Sequence, residues 1–328
     1  MSVRSRLYAA GSLGFLLLLC RYSAVCADAV RVALQLCLTS VIPALFPFFV
    51  ASTLAISCGL AQSVGSLCAA PFRRALHLPA CGAAVMLLSF LGGYPAGARM
   101  AAELYHSNQC TREQANTLAS VCNNTGPAFL IGMCGNGLFH SLRTGIFLYL
   151  IHVISALLTA FVLRPNNIPN SVVLPRQPEP QRWMPLFVQA VLSAGRASLH
   201  VSAFVLVFSV ILSLFRQIGL FSFLLAISAP AFRAVGLSDG AGILIGMFEL
   251  TQGLASLTPD TGTLEARLAA VSFLCAFGGM SVLFQTAAVT DGLSFRACIR
   301  GKLVHAILAC CLCVLALFAV PASWLESL

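Results

Sequence analysis

Glu249 stands between Phe248 and Leu250 and is followed by Thr251, Gln252 and Gly253. A carboxylate within an apolar run is costly in hydrocarbon and marks a functional position by default. Earlier in the chain, Cys122 to Ala128 reads CNNTGPA, with two amides, a hydroxyl and a Gly-Pro pair in apolar surroundings. Ser89 to Met100 reads SFLGGYPAGARM, where Tyr94 brings the side-chain chemistry and Arg99 a cation. These residues hydrogen-bond and carry charge; they do not pair a nucleophile with a base. In lipid an unpaired backbone N–H or C=O costs several kcal/mol, so a helix interruption survives only where it is buried in protein or lines a cavity. Half-helix N-termini at such interruptions carry partial positive charge and attract anions or polar acceptors. The candidate substrate-binding set is therefore Gly93, Tyr94, Asn123, Asn124, Thr125 and Gly126 from the first half, with Thr251, Gln252, Gly253 and Gln285 from the second, Ser281 adding a hydroxyl. Glu249 and Arg99 are the candidate coupling or charge residues. Each has a plainer reading beside the functional one. The amides and Thr125 would cap helix ends in a packed bundle, Gly92 to Gly97 would only turn a hairpin, Glu249 would reach interfacial water or pair with Arg99, and Arg99 would snorkel to the membrane surface.

Stepping outward, the composition sets the solvent. The chain has 328 residues, 59% hydrophobic and 9% charged, with mean hydropathy +0.92. Soluble domains carry about 25% charge, so this is an all-α polytopic membrane protein with room for about seven to ten spans. The net charge of +9 comes from Arg, with Lys302 the sole lysine. It is read as a topology signal rather than a nucleic-acid surface. The 14 cysteines are scattered through apolar windows and are read as small buried hydrophobes. No cofactor and no metal site is expected. His152, His200 and His305 lack carboxylates at ligand spacing and are read as packing or interfacial residues. The chain also lacks H-E-x-x-H and paired intramembrane aspartates, so it is not expected to be an enzyme.

In chain order, Leu7 to Val25 is expected to be a first span or signal anchor within a segment 1–28. Val32 to Leu60 reads as a span kinked at Pro43 and Pro47, and Ala61 to Pro79 as an interfacial helix. Cys81 to Leu91 and Ala96 to Tyr105 read as two short arms of a re-entrant hairpin, with Thr111 and Glu113 as helix-start residues. Ala115 to Phe139 reads as a crossing broken at Asn123–Pro127, and Thr144 to Leu163 as an ordinary span. Arg164 to Pro185 is a Pro-rich linker. Beyond it come a lead-in (Leu186 to Arg196), a span through Leu199 to Leu214, a helix over Gly219 to Leu237, and a short arm (Ala241 to Phe248) broken at Glu249–Gly253. A second crossing, Arg267 to Thr290, is broken at Phe277–Ser281. Leu303 to Val320 is a last span before a tail, 321–328.

The same order of elements thus occurs twice, in 29–163 and 186–320, with the linker 164–185 between. Three crossings per half, an odd number, require the halves to be inverted. The expected architecture is two inverted repeats, each with a re-entrant helical hairpin and a broken transmembrane helix. With the N-terminus inside, the loops on that side hold about twice as many cations as those outside; Arg99, Arg196, Arg296, Arg300 and Lys302 are assigned inside, Arg267 outside.

The residues VIPALFPFF (Val41 to Phe49), GGYPAGA (Gly92 to Ala98) with Glu103-Leu104-Tyr105, CNNTGP (Cys122 to Pro127) with IGMCGNGLF after it, and FELTQG (Phe248 to Gly253) carry a resemblance. The chain resembles the YlbJ-type sporulation integral membrane proteins, within the nucleoside-recognition or Gate domain group, from about residue 30 to 320. The resemblance implies two Gate-like repeats in a multi-pass protein of a bacterial cell membrane, with a membrane around the forespore as one placement. It implies transport of a small anion, dipicolinic acid, during spore formation. Nucleoside-type transport and a non-transporting scaffold for spore assembly, acting through the Pro-rich linker, are the alternatives. The partners implied are a small-molecule anion and the lipid bilayer, with no nucleic acid; a homo-oligomer is compatible with the sequence.

Overall fold

The computed structural model describes residues 3–58, 60–165 and 182–319. Most of the Pro-rich linker and the tail 321–328 lie outside the described residues. The architecture is helical from end to end: α1 (Val3–Arg21), α2 (Ser23–Leu36), α3 (Ile42–Ser57), α4 (Leu60–Leu76), α5 (Gly82–Gly92), α6 (Ala96–His106), α7 (Arg112–Val121), α8 (Leu142–Val162), α9 (Trp183–Gln217), α10 (Leu220–Ala234), α11 (Ala241–Phe248), α12 (Leu250–Ala255), α13 (Leu264–Phe277), α14 (Gly279–Val289) and α15 (Phe295–Ala319). A π-helical turn, Cys37–Val41, joins α2 to α3, and a π-helical arm, Ala128–Leu138, follows α7. Five stretches are long and apolar enough to cross a bilayer: Ser23–Ala51, Leu142–Val162, Trp183–Gln217, Leu264–Val289 and Phe295–Ala319. Gly82–Gly92, Ala128–Leu138 and Leu220–Ala234 are shorter apolar helices.

Several boundaries depart from expectation. The expected first span does not run on to Val25: α1 ends at Arg21, α2 starts at Ser23, and α1 is not among the five long apolar stretches. The chain instead continues through α2 and α3 as one hydrophobic rod, past the π turn. Residues 186–196 are not a separate lead-in, because α9 is one helix of 35 residues. The last helix begins at Phe295, eight residues before the expected Leu303, and takes Arg296, Arg300 and Lys302 out of the loop. Arg267, expected outside, is buried on α13, where its Nε donates to the Leu257 carbonyl at 3.1 Å and its guanidinium lies 5.0 Å from the Phe139 ring centre.

The local chemistry explains the elements that position the breaks. Thr111 starts α7 with a capping box: its hydroxyl accepts from Gln114 N at 3.3 Å while Gln114 Oε1 accepts from Thr111 N at 3.0 Å. Thr263 caps α13 by accepting from Ala266 N at 3.2 Å. The α5–α6 turn holds Gly93 at φ +70 and a cis Tyr94–Pro95 bond. Gly97, the second residue of α6, lies so close to the first break that a Cβ there would sit 1.8 Å from the Cys122 carbonyl oxygen. Only glycine allows that approach, which packs the α5–α6 pair against the break after α7. The largest core cluster, including Leu130, Leu148, Leu250, Leu254, Leu257, Leu268 and Leu274, is built from both halves. Lipid tails are as apolar as leucine, so this joint is held by close packing rather than by escape from water.

Candidate functional site

Four helix interruptions meet around one small cavity. Gly93 and Tyr94 reach it from the α5–α6 turn, Thr125 and Gly126 from the break after α7, Glu249 and Thr251 from the α11–α12 junction, and Ser281 and Gln285 from α14 just past the Gly278 break. Leu45 and Phe49 of α3 and Val201 and Val205 of α9 close it with apolar side chains. Its volume is about 50 Å³, enough for one or a few waters and too small for an organic anion.

The two breaks differ. At the first, Asn123 to Gly126 leave the helix altogether before the π-helical arm starts at Ala128. At the second, only Glu249 is extended, with φ −135 and ψ 110; Leu250 already starts α12. The expected five-residue break shrinks to one residue because the carboxylate supplies the cap. Glu249 oxygens accept from Thr251 N at 3.1 Å and Gln252 N at 2.7 Å, and the residue is 1% exposed. Those N–H groups are thus occupied by the chain's own acid. Likewise Thr125 N donates to His152 Nε2 at 3.0 Å.

The remaining candidates sit near the cavity without lining it. Asn124 is buried, and its amide donates to Ser89 Oγ at 2.8 Å and to the Val121 carbonyl at 2.9 Å, which is the capping role. Asn123 donates to Thr286 Oγ1 at 2.7 Å, tying the first break to α14, while its Oδ1 is buried without a partner. Gln252 turns away to hydrogen-bond Ser209 on α9. Gly253 is a packing position: a Cβ would lie 2.2 Å from Gly246 Cα, so α11 and α12 touch backbone to backbone there. Arg99 pairs with Glu103, Nε to Oε1 at 2.9 Å, one helical turn along α6, and not with Glu249. Ser281 Oγ, which lines the cavity, is buried without a partner, a polar atom free to take a ligand.

Behind Tyr94 lies a polar knot that the sequence did not reveal. Lys302 is 1% exposed; its Nζ donates to the Asn123 carbonyl at 2.6 Å and stands 4.6 Å from the centre of the Tyr94 ring. The Tyr94 hydroxyl hydrogen-bonds Thr125 and the Cys275 carbonyl, to which Thr125 Oγ1 also donates at 2.7 Å. His305, one turn beyond Lys302, has Nε2 3.0 Å from Ser155 Oγ, and its ring is 4.5 Å from that of His152. The two histidines are therefore parts of this buried network rather than interfacial residues. The ion pairs among the described residues are Arg31–Asp28 and Arg99–Glu103, so Lys302 has no carboxylate partner there. Its signal in the sequence was its uniqueness, together with a face of Cys298, Gly301, Lys302, His305 and Ala309 at helical spacing, all buried. Among the described residues no group of three His, Cys, Asp or Glu side chains is placed to hold a metal ion.

Comparison with known proteins agrees with the motif resemblance. The chain is 28% identical over 291 residues to the sporulation integral membrane protein YlbJ of Bacillus subtilis (strain 168), covering 82% of this chain and 71% of that protein. No family model matches, and no solved structure matches. The chain is similar to the YlbJ-type sporulation integral membrane proteins over most of its length, and it is a multi-pass membrane protein.

Proposed function

We propose that this YlbJ-like chain is a secondary transporter or facilitator for a small anionic metabolite and performs no covalent chemistry. The observation that carries the reading is the convergence of four helix interruptions, two from each half, on one small cavity whose mainly apolar wall carries polar side chains from each break. Irregular backbone at membrane depth is tolerated where it lines such a cavity, and transporters place their substrate there. In this reading 29–163 and 186–320 are inverted repeats. The α5–α6 pair corresponds to α11–α12, the α7–π crossing to α13–α14, and α8 to α15, the short pairs re-entering from opposite faces. The closed cavity opens toward one face at a time.

Glu249 sets the coupling. A carboxylate facing the cavity repels an anion, so the anion enters when Glu249 carries a proton, and the two move together. The relative's name places it in sporulation, and the family resemblance supplies a substrate, dipicolinic acid, a planar dianion moved across a membrane around the forespore. The test is solvent access. In a Cys-depleted background, Ser281→Cys is expected to react with a membrane-impermeant thiol reagent from either face of the vesicle, and less when dipicolinate is present. Labelling from neither face, across pH and anion concentration, would show a sealed packing defect and end this reading.

A further inference from the structure

A second, larger cavity of about 440 Å³ abuts the closed one, sharing Phe49, Gly92, Tyr94 and Val201 as its wall. That volume is in the range that holds small ligands. Its titratable lining beyond Tyr94 is all basic-type: Arg99 from α6, and Arg196 and His200, one turn apart on α9. A groove of about 760 Å³ continues outward from it, again lined by Arg99, Ser193 and Arg196. No Asp or Glu lines either space among the described residues. Glu103 reaches Arg99 but lies outside both, with half of its side chain exposed.

The depth of this vestibule follows from helix length. From Arg196 to Arg216 the helix rises about 30 Å, the thickness of the hydrocarbon core. Arg196 therefore stands at one membrane surface, His200 one turn deeper, and the stretch from Trp183 overhangs by about 20 Å. Arg99 and Arg196, both assigned to the inner side by charge bias, line the same space.

We infer that this vestibule is the docking site for a dicarboxylate anion on the inner face, with Arg99 and Arg196 as its guanidinium clamps, His200 as the inner contact, and Phe49, Tyr94 and Val201 as the gate to the closed cavity. The inference rests on the transport reading for what happens past the gate, but not for docking itself. Guanidinium forks match carboxylates in pairs, and two forks suit two carboxylates. Lipid phosphate offers the same anionic oxygens to a site at the interface, and the lipid composition of the vesicles separates the two sources.

The experiment uses the full chain, Cys-depleted, with Ser193→Cys as a reporter, in vesicles of phosphatidylcholine alone or with phosphatidylglycerol. Pyridine-2,6-dicarboxylate is the probe and its monocarboxylate the control. In the zwitterionic vesicles the dicarboxylate is expected to protect the reporter from an impermeant thiol reagent. Arg99→Gln or Arg196→Gln should raise the half-protecting concentration about tenfold each, one charge-assisted hydrogen bond's worth, and the Lys variants should recover part of it. Arg143→Gln, at the start of α8, should change nothing. Protection without uptake supports the docking site while ending the transport reading. Uptake that survives both Gln substitutions with unchanged KM overturns the docking site and leaves transport standing. Protection seen only with phosphatidylglycerol assigns the arginines to lipid and overturns the proposal, as does no protection in either vesicle.

Discussion

Replacing Lys302 by Met separates function from folding at the most unusual side chain in the protein. Methionine fills the aliphatic volume of lysine and removes the charge. The cost is a bare Asn123 carbonyl, about 1–3 kcal/mol, and a lost contact with the Tyr94 ring, about 2 kcal/mol for a desolvated pair. Against it stands relief from burying an ammonium that lacks a carboxylate, several kcal/mol. The sum lies near zero, on the stabilising side. Binding changes in the opposite sense. Nζ is 4.6 Å from the Tyr94 ring centre, and one more van der Waals layer puts an anion in the opened cavity about 8 Å from the charge. At an effective dielectric constant near 20 that attraction is about 2 kcal/mol, roughly thirtyfold in affinity. The assay pairs dipicolinate titration in nanodiscs with a thermal unfolding midpoint. Lys302→Met should bind roughly thirtyfold more weakly with a midpoint at or above that of the wild type. Unchanged affinity would refute the electrostatic role, and a collapsed midpoint would refute the desolvation argument.

Four further outcomes follow from the geometry. Asn124→Leu removes the amide that holds Ser89 and the Val121 carbonyl; less folded protein should reach the membrane, with a loss of about 1–3 kcal/mol in unfolding experiments. Gly253→Ala pushes a methyl into Gly246 Cα; overpacking of this kind costs about 1–3 kcal/mol or more, read as a lower thermal midpoint. Glu249→Gln fixes the side chain uncharged and leaves one of the two α12 amides that the carboxylate caps without an acceptor, so uptake should lose its dependence on pH while the midpoint falls by the equivalent of about 1–3 kcal/mol. Thr125→Val keeps the shape and removes a buried hydroxyl bonded to Tyr94 and the Cys275 carbonyl; a loss of about 1 kcal/mol is expected, and wild-type stability would detach that hydrogen bond from the fold.

The solvent, the helical class and the location of the interruptions were legible because hydropathy and punctuation are local signals. GGYPAGA, CNNTGPA and the glycine pair after Phe277 each end a helix in the structure. What a residue does at a break was not legible. Asn124 and Thr125 are neighbours of similar chemistry, yet Asn124 turns inward to α5 and Thr125 faces the cavity, a difference of backbone direction that no residue type encodes. Glu249 read as a broken stretch of five residues, but a carboxylate that caps the next helix shortens the break to one. Arg296, Arg300 and Lys302 read together as a loop signal, and only the 3.6-residue period separates the buried lysine from its exposed neighbour Arg300. The lead-in read from Leu186 to Arg196 set a boundary inside α9, where one helix of 35 residues instead runs through without a break.

Uptake of labelled dipicolinate into proteoliposomes holding the purified full chain tests the central claim most directly. The account predicts accumulation above protein-free vesicles, rising as the outer pH is lowered and abolished in a variant with Ser281 and Gln285 replaced by Val and Leu. Uptake equal with and without the protein at every pH would contradict it.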